Sequence, residues 1–430
     1  VLNDDTFVVT WQSFREDYIY SNDETYGING QRYGANGIAI GDEFQINTYA
    51  RNDQTAPDIT ALNYGGFVMT WDSYYQNGEN RHGVYAQRYD ANGVSVGDEF
   101  QVNTFTDGSQ LWSSTTALED GGFVVTWTSA VQDNGGLGVY GQRYAANGIS
   151  VGDEFLINTF SGGSQNSSSV TALKDGGFVV TWSSSTQEGD FFSSIYGQRY
   201  DKNGNNQGAE FHVDSYSGAS QEHSSTTALS DGGFVVTWTS DNQDGSSKGI
   251  YGQRYDVNGN PIEAEFRVNT HTSNNQSEPS ITSLNEGGFV VSWTSVEQDG
   301  SSGGIYAQRF GPAESHFIIN QTAIESFGFN YQLQSDSFVD PDSGDTLSYS
   351  VTQSDGSDLP GWLSFDGSTR LFSGTPVGDD VGDLFLKATV SDGTASASEN
   401  FTIHIMPYNQ ITGSGLLNGT EGSDAIYGGT

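Results

Sequence analysis

The sequence contains no cysteine, and this absence excludes disulfide bonds, thiolate metal sites and cysteine nucleophiles. It also lacks any apolar run near the ~20 residues that a membrane-spanning helix needs. We therefore expect no membrane insertion. A β-rich protein outside the cell without disulfides needs another stabilising element, and bound Ca²⁺ is the candidate cofactor.

Basic residues are scarce, since 15 Lys and Arg face 54 Asp and Glu for a net charge of −39. Nucleic acid and anionic lipid would both be repelled by such a chain, so neither is an expected partner. The acidity has two possible explanations: solubility in salty water, or carboxylates that hold Ca²⁺ through oxygen ligands.

The length and composition indicate a turn-rich, all-β chain with more than one domain. The 430 residues exceed one ordinary hydrophobic core. Aromatic residues make up 13% of the chain, and 56 residues are glycine.

One heptapeptide, GGFVVTW, is written repeatedly along the first three quarters of the chain. Its copies recur at intervals of 55 to 60 residues, which is typical of an array of structural repeats. The motif or a close copy ends at Trp11, Trp71, Trp127, Trp182, Trp238 and Trp293.

Each repeat divides into four short segments of strand character, separated by DG and NG turns. Four antiparallel strands repeated six times predict a six-bladed β-propeller with four-stranded blades over residues 1–312, with a flat solenoid as the alternative. Phe123, Val125 and Trp127 alternate to one face of a strand, and we expect the tryptophan to fill the gap to the next blade.

Two further structural expectations follow from the repeat. An arginine recurs on the third strand of each repeat, as at Arg143. We expect it to pair with an acidic residue of the fourth strand, as in GDEF. The first blade begins at its second strand, and residues 315–320 (SHFIIN) are a candidate for the fourth strand of the last blade.

The copies differ mainly in the loops between strands 2 and 3 and in the crossings between blades, which emerge on the same face of a propeller. Aromatic and basic residues are concentrated there, as expected for a binding surface. The candidate ligand-binding residues are Arg15, Tyr18, Tyr74, Tyr75, Arg81, His82, Trp112, Phe191, Phe192 and His223.

Aromatic rings beside polar groups suit the stacking faces of sugars, and arginines add complementarity for carboxylated or sulfated glycans. The partner is expected to be a glycan or a cell-surface or matrix protein. The plainer alternative is that several of these rings only cover blade edges. A third interpretation is a polysaccharide lyase or hydrolase on the same face, although no HExxH or GxSxG motif supports it and no catalytic residue is assigned.

Residues 313–407 predict a single Ig/cadherin-like β-sandwich of short alternating strands. This stretch resembles the dystroglycan-type cadherin-like domain through FVDPDSGDTL at 338–347, LPGWLSF at 359–365 and SGTP at 373–376. The resemblance implies a spacer with interdomain Ca²⁺. Acidic residues of its loops are candidate Ca²⁺ ligands or, alternatively, solvated turn formers: Asp340, Asp342, Asp345 and Asp392.

Residues 408–430 form a linker and end in NGTEGSDAIYGGT, which resembles the start of a calcium-binding RTX β-roll, with Asp424 as a candidate ligand. Together the three parts resemble a segment of a large RTX-type secreted bacterial adhesin or matrix protein. That resemblance implies type I export to the cell surface or medium. The chain starts at Val1 without a signal peptide, so we expect either that one was removed or that export uses a C-terminal signal. A self-assembling structural protein is the remaining alternative.

Overall fold

The computed structural model describes residues 2, 6–15, 25–49, 51–78, 80–133, 136–189, 191–284, 288–300, 302–311, 321–333, 347–391 and 396–408. The chain divides into two compact units, Val1–Pro312 and Ala313–Thr430. No helix of the described part is long and apolar enough to cross a membrane.

The first unit consists of antiparallel sheets, one for each copy of the repeat, which we call blades 1 to 6. The described strands of the first three blades are as follows. Blade 1 holds β1 (Phe7–Arg15), β2 (Thr25–Tyr33) and β3 (Ala39–Gln45); blade 2 holds β4 (Gln54–Ala61), β5 (Phe67–Tyr74), β6 (His82–Tyr89) and β7 (Phe100–Gln101); blade 3 holds β8 (Gln110–Ala117), β9 (Phe123–Asp133), β10 (Gly136–Tyr144) and β11 (Ser150–Leu156).

The remaining blades follow the same order. The candidate fourth strand of blade 6, at 315–320, lies outside the described residues. Blade 4 holds β12 (Gln165–Ala172), β13 (Phe178–Ser185), β14 (Ser193–Tyr200) and β15 (Asn206–His212); blade 5 holds β16 (Gln221–Ala228), β17 (Phe234–Asp241), β18 (Lys248–Tyr255) and β19 (Pro261–Arg267); blade 6 holds β20 (Gln276–Ser283), β21 (Phe289–Ser295) and β22 (Gly304–Phe310).

The two glycines of GGFVVTW have different backbone roles. Gly121 adopts φ +86°, a left-handed conformation that the tight turn before β9 requires and that glycine tolerates best. Gly122 has no room for a side chain, because a Cβ there would lie 2.2 Å from the carbonyl oxygen of Tyr144. The second glycine therefore lets the start of β9 lie directly against the end of β10.

The rest of the motif builds the cores between blades. Phe123, Val125 and Trp127 of blade 3 pack against Val84 and Val102 of blade 2 in one buried cluster. Equivalent clusters join blade 1 to blade 2, blade 3 to blade 4, blade 4 to blade 5 and blade 5 to blade 6. The tryptophan thus faces the preceding blade, so the prediction that it fills the gap to the next blade is wrong in direction, because the side-chain alternation of a strand does not reveal which neighbour each face meets.

Successive blades also meet along their first strands, since β4, β8, β12, β16 and β20 lie side by side in that order. These are the innermost strands. Sheets stacked face to face with their first strands innermost form a β-propeller, so the predicted six-bladed all-β fold is confirmed.

Polar contacts between blades repeat as well. Glu154 of the GDEF strand accepts hydrogen bonds from the Thr104 backbone N–H of blade 2 (2.8 Å) and from Gln132 Nε2 (2.5 Å). Arg143 pairs instead with Asp120 of the turn before β9, at 3.4 Å. The arginine therefore pairs with a carboxylate as predicted, but that carboxylate lies in the turn of its own blade and not in GDEF, whose glutamate binds the preceding blade.

The second unit is a two-layer sandwich. Phe372, Leu386, Phe401 and Ile403 are among the residues that form its buried core. One sheet has the order β23 (Gln321–Ile324), β29 (Ser396–Met406), β28 (Gly382–Ser391) and β25 (Ser348–Gln353), and the other has the order β24 (Phe329–Gln332), β27 (Leu371–Gly374) and β26 (Leu363–Asp366), with one 3₁₀ turn at Gly378–Asp380. This is the predicted Ig-like architecture.

Candidate functional site

The innermost strand of each blade from 2 to 6 carries a β-bulge at its third residue. A residue other than glycine adopts a left-handed backbone there, and the register to the neighbouring strand shifts. Such bulges redirect a side chain out of the regular alternation, and they are common beside active sites. The bulge residues are Ala56 (φ 51°), Trp112 (57°), Ser167 (54°), His223 (56°) and Glu278 (57°).

Each bulge is held by the preceding blade. The residue after the motif tryptophan accepts a hydrogen bond from the backbone N–H of the bulge residue. For Trp112 the acceptor is Asp72 Oδ2, at 2.9 Å. The equivalent acceptors are Gln12 for Ala56 (3.1 Å), Thr128 for Ser167, Ser183 for His223 and Thr239 for Glu278 (3.2 Å each).

Asp72 is therefore the acidic member of a set whose other members are neutral. Its side chain is 1% exposed, and burial raises the pKa of its carboxyl to about 8 against the hydrogen bonds from the Trp112 and Ser113 backbones. Among the residues that the structure describes, none forms a hydrogen bond with its buried Oδ1. Most Asp72 carboxyl groups are thus protonated at pH 7.

Asp58 is a second acid of the same kind on the neighbouring strand β4. Its Oδ2 accepts a hydrogen bond from the Thr115 N–H at 2.6 Å, and burial raises the pKa of its carboxyl to about 6. The equivalent positions in later blades hold serines, such as Ser114, whose hydroxyl accepts the Val170 N–H at 3.3 Å. Blade 2 thus presents two carboxyl groups to the innermost strand of blade 3.

A group of rings lies at the ends of β5 and β6. The Tyr74 and His82 rings are 4.9 Å apart between centroids, and Tyr75 meets Tyr74 edge-on at 6.0 Å. The Tyr74 hydroxyl donates to Asn80 Oδ1. Burial lowers the pKa of His82 below its usual 6.5, so this imidazole is neutral at pH 7.

The segment that precedes β8 of blade 3 lies against this group of rings through Asp107 and Ser109. Arg81 forms an ion pair with Asp107. The His82 backbone N–H donates to Ser109 Oγ at 3.4 Å, and the Trp112 side chain is 46% exposed. We call the set Asp72, Tyr74, Tyr75, Arg81, His82, Asp107, Ser109 and Trp112 the blade 2–3 seam.

The other predicted residues lie in a second, equivalent place, the blade 4–5 seam, formed by Phe191, Phe192, Ser193, Ser220 and His223. The Ser193 N–H donates to Ser220 Oγ at 3.3 Å, as His82 does to Ser109. Phe191 is 96% exposed, and His223 occupies the bulge that Trp112 occupies in blade 3. The predicted surface therefore separates into two seams rather than one cleft.

Several predicted residues cannot be placed in either seam. Tyr18 and the candidate calcium ligands Asp340, Asp342, Asp345, Asp392 and Asp424 lie outside the described residues, and Arg15 is described only as the last backbone position of β1. Within the described part of the chain, no three His, Asp or Glu side chains are grouped as metal ligands. The calcium assignment stays a prediction.

A groove of about 700 Å³ lies at the outer edge of blades 2 and 3, away from the predicted residues. It is lined by polar residues such as Gln132, Asp153 and Glu154. Glu154 already accepts hydrogen bonds from the Thr104 N–H of blade 2 and from Gln132 of its own blade. The Glu154 carboxylate of this groove therefore has a structural role.

Sequence reasoning missed Asp58, Asp72 and the bulge residue Glu278. An alignment of the repeats could have identified the two aspartates. The positions equivalent to Asp72 in the other repeats hold Gln, Thr or Ser, and those equivalent to Asp58 hold Ser. The bulge itself has no such signal, since its residues share no type.

Comparison with known proteins agrees with the two folds. A sequence-family profile described as "Putative Ig domain" matches residues 312–406. A search of curated protein sequences found no match to the chain. The chain is thus an all-β protein in which a propeller precedes an Ig-like sandwich.

Three solved structures show how distant the similarities are. A protein of unknown function from Dyadobacter fermentans has 11% identity and a TM-score of 0.46, with 81% of this chain and 94% of that one covered. An α-L-arabinanase from Penicillium chrysogenum, solved with arabinobiose, has 11% identity and 0.46, with 70% and 97% covered. The GH93 α-L-arabinofuranosidase of Fusarium graminearum, also with arabinobiose, has 10% identity and 0.49, with 72% and 90% covered.

Proposed function

We propose that the propeller binds carbohydrate at the blade 2–3 seam. The observation that carries this proposal is the exposed Trp112, which stands at a left-handed bulge whose backbone N–H donates to Asp72 of blade 2. A flat, exposed ring on a hydrogen-bonded backbone position suits the apolar face of a sugar. The propeller would act as a binding module and the sandwich as a spacer.

The charges of the seam favour a neutral glycan over an acidic one. Arg81 is already paired with Asp107, and the His82 imidazole is neutral at pH 7. The chain as a whole carries a net charge of −39, which repels polyanions. The carboxylated or sulfated ligand anticipated from the arginines is therefore the less favoured one.

The proposed setting is extracellular. A cysteine-free chain of this acidity suits a secreted or cell-surface protein stabilised by Ca²⁺, exported by a type I route. The proposed Ca²⁺ ligands are those of the sandwich loops and of the C-terminal nonapeptide, given above. The dystroglycan-type and RTX resemblances support this part of the proposal.

Cleavage of the bound glycan is the second candidate function, and Asp72 favours it. A carboxyl group that stays protonated at neutral pH is a suitable general acid for glycoside hydrolysis. Asp72 is nevertheless 1% exposed, below the Trp112 backbone, so a substrate would have to open this contact. Binding without cleavage is thus the first proposal.

The test uses variants that the fold already accommodates. Trp112→Ser places at the bulge the residue that blade 4 has there, Ser167, and should lower affinity for a neutral polysaccharide by about 1–3 kcal/mol, as expected for loss of one stacked ring. Phe191→Ser in the blade 4–5 seam is the matched control. Affinity electrophoresis with neutral and sulfated polysaccharides measures both.

Equal retardation of the wild type and Trp112→Ser would overturn the proposed seam. Release of smaller sugars by the wild type, abolished in Asp72→Asn, would replace binding by hydrolysis.

A further inference from the structure

The outward face of blade 6 is an uncovered copy of a face that is buried elsewhere in the propeller. Ile305 on β22 pairs across the sheet with Thr294, the residue after the motif tryptophan, and it is 77% exposed. The corresponding residues of the other blades face the following blade and are fully buried. They are Ile28, Val84, Val139, Ile195 and Ile250.

Blade 1 shows the opposite face uncovered. Val9 lies two residues before Trp11 and is 44% exposed. Its counterparts face the preceding blade and are fully buried: Met69, Val125, Val180, Val236 and Val291. Trp11 is half-buried, whereas Trp71, Trp127, Trp182 and Trp238 are fully buried.

These two faces are the halves of one interface. At the junction of blades 2 and 3, Val84 and Val125 belong to the same hydrophobic cluster, and Ile305 and Val9 are their respective equivalents. Clusters of the described residues join blades 1 to 2 and each later pair up to blades 5 and 6, and none of them joins blade 6 to blade 1.

We propose that the Ile305 face of blade 6 binds the Val9 face of blade 1 in a second copy of this chain. The new contact continues an interface that the chain already forms between its own blades. Both faces are solvent-exposed in the same molecule, so the two halves have not met within one chain. An interface that joins one end of a molecule to the opposite end of the next is heterologous and propagates head to tail.

Salt concentration gives this association a characteristic dependence. The contact is apolar, whereas each copy carries a net charge of −39. Repulsion between copies weakens once the Debye length falls to about 8 Å near 0.15 M salt. Association therefore strengthens with salt, opposite to the behaviour of an interface held by ion pairs.

The absence of native cysteine makes the test direct. Val9→Cys and Ile305→Cys are prepared as separate full-length chains, mixed and oxidised. The salt concentration is 0.15 to 0.5 M, at which the Debye length is about 8 Å or less. The proposal predicts a disulfide-linked species of twice the 46.2 kDa chain mass. The matched control mixes Ile305→Cys with Val94→Cys, an exposed residue of a turn in blade 2, and should give about tenfold less product because no docking concentrates its thiols.

A second measurement separates association from folding. Ile305→Glu changes an exposed side chain, so it should leave the circular dichroism spectrum unaltered while sedimentation velocity shows only monomer. A Val9→Cys/Ile305→Cys double variant that forms its disulfide within one chain would overturn the proposal in favour of ring closure. Monomeric wild type at high salt, without cross-linking in the mixture, would overturn it as well.

Discussion

Replacing Asp72 with asparagine tests the electrostatic account of the blade 2–3 seam. In the wild type the Trp112 N–H donates to Asp72 Oδ2 at 2.9 Å. Asparagine keeps the shape of the side chain and an oxygen that accepts this hydrogen bond. It removes the ionisation. In the folded protein the pKa of Asp72 is about 8, against an ordinary value of 3.8.

The sign of the effect follows from proton binding. Between pH 3.8 and about 8 the folded state holds the Asp72 proton more tightly than the unfolded chain does. The contribution of this group to stability is therefore complete below pH 3.8 and is lost as the pH rises towards 8, with a slope of up to about 1.4 kcal/mol per pH unit. Asp72→Asn lacks this loss, so its stability relative to the wild type should increase from pH 5 to pH 8.

Urea unfolding followed by tryptophan fluorescence, at constant ionic strength from pH 4 to pH 9, measures the difference. Asp58→Asn is the internal control, because the pKa of Asp58 is about 6 and its difference from the wild type should level off above that pH. Parallel stability curves for the wild type and Asp72→Asn between pH 5 and pH 8 would refute the assignment of a neutral buried carboxyl.

Three further predictions concern the fold. Trp127→Ala should cost about 3–5 kcal/mol of stability, since this side chain is fully buried between blades 2 and 3, and Trp11→Ala should cost less because Trp11 is half-buried; equal midpoints in urea would contradict this. Gly122→Ala should cost about 1–3 kcal/mol because its Cβ would meet the Tyr144 carbonyl, whereas Gly311→Ala, with open space around it, should have little effect on the melting temperature. Chelation of Ca²⁺ should lower the melting temperature by several degrees if the proposed sites are occupied, and an unchanged transition would leave the acidic loops as solvated turns.

Local sequence predicted the repeat architecture because every level of the pattern agrees. Apolar alternation in FVVTW, glycines where the turn needs them, and a constant period all indicate short strands in stacked sheets. Side-chain partners between blades were harder to predict. Alternation fixes two faces for Trp127 without saying which neighbour each face meets, and the Arg143 side chain is long enough to reach either the GDEF strand or the turn at Asp120.

The bulges explain why the candidate site was only partly predicted. Trp112 and His223 were predicted to lie in loops, yet they lie inside strands β8 and β16. Their left-handed backbone conformation cannot be predicted from the residue types. Asp72 was missed because it continues a strand. Only its burial against the next blade, which raises the pKa of its carboxyl, distinguishes it from an ordinary acidic residue.

The most direct test of the central claim is size-exclusion chromatography of fluorescent neutral and acidic polysaccharides after incubation with the protein in Ca²⁺. The account predicts that a neutral polysaccharide elutes earlier with the wild type and at its free position with Trp112→Ser. A neutral polysaccharide that elutes unchanged with the wild type would contradict carbohydrate binding, and one that elutes later, as smaller fragments, would identify an enzyme instead.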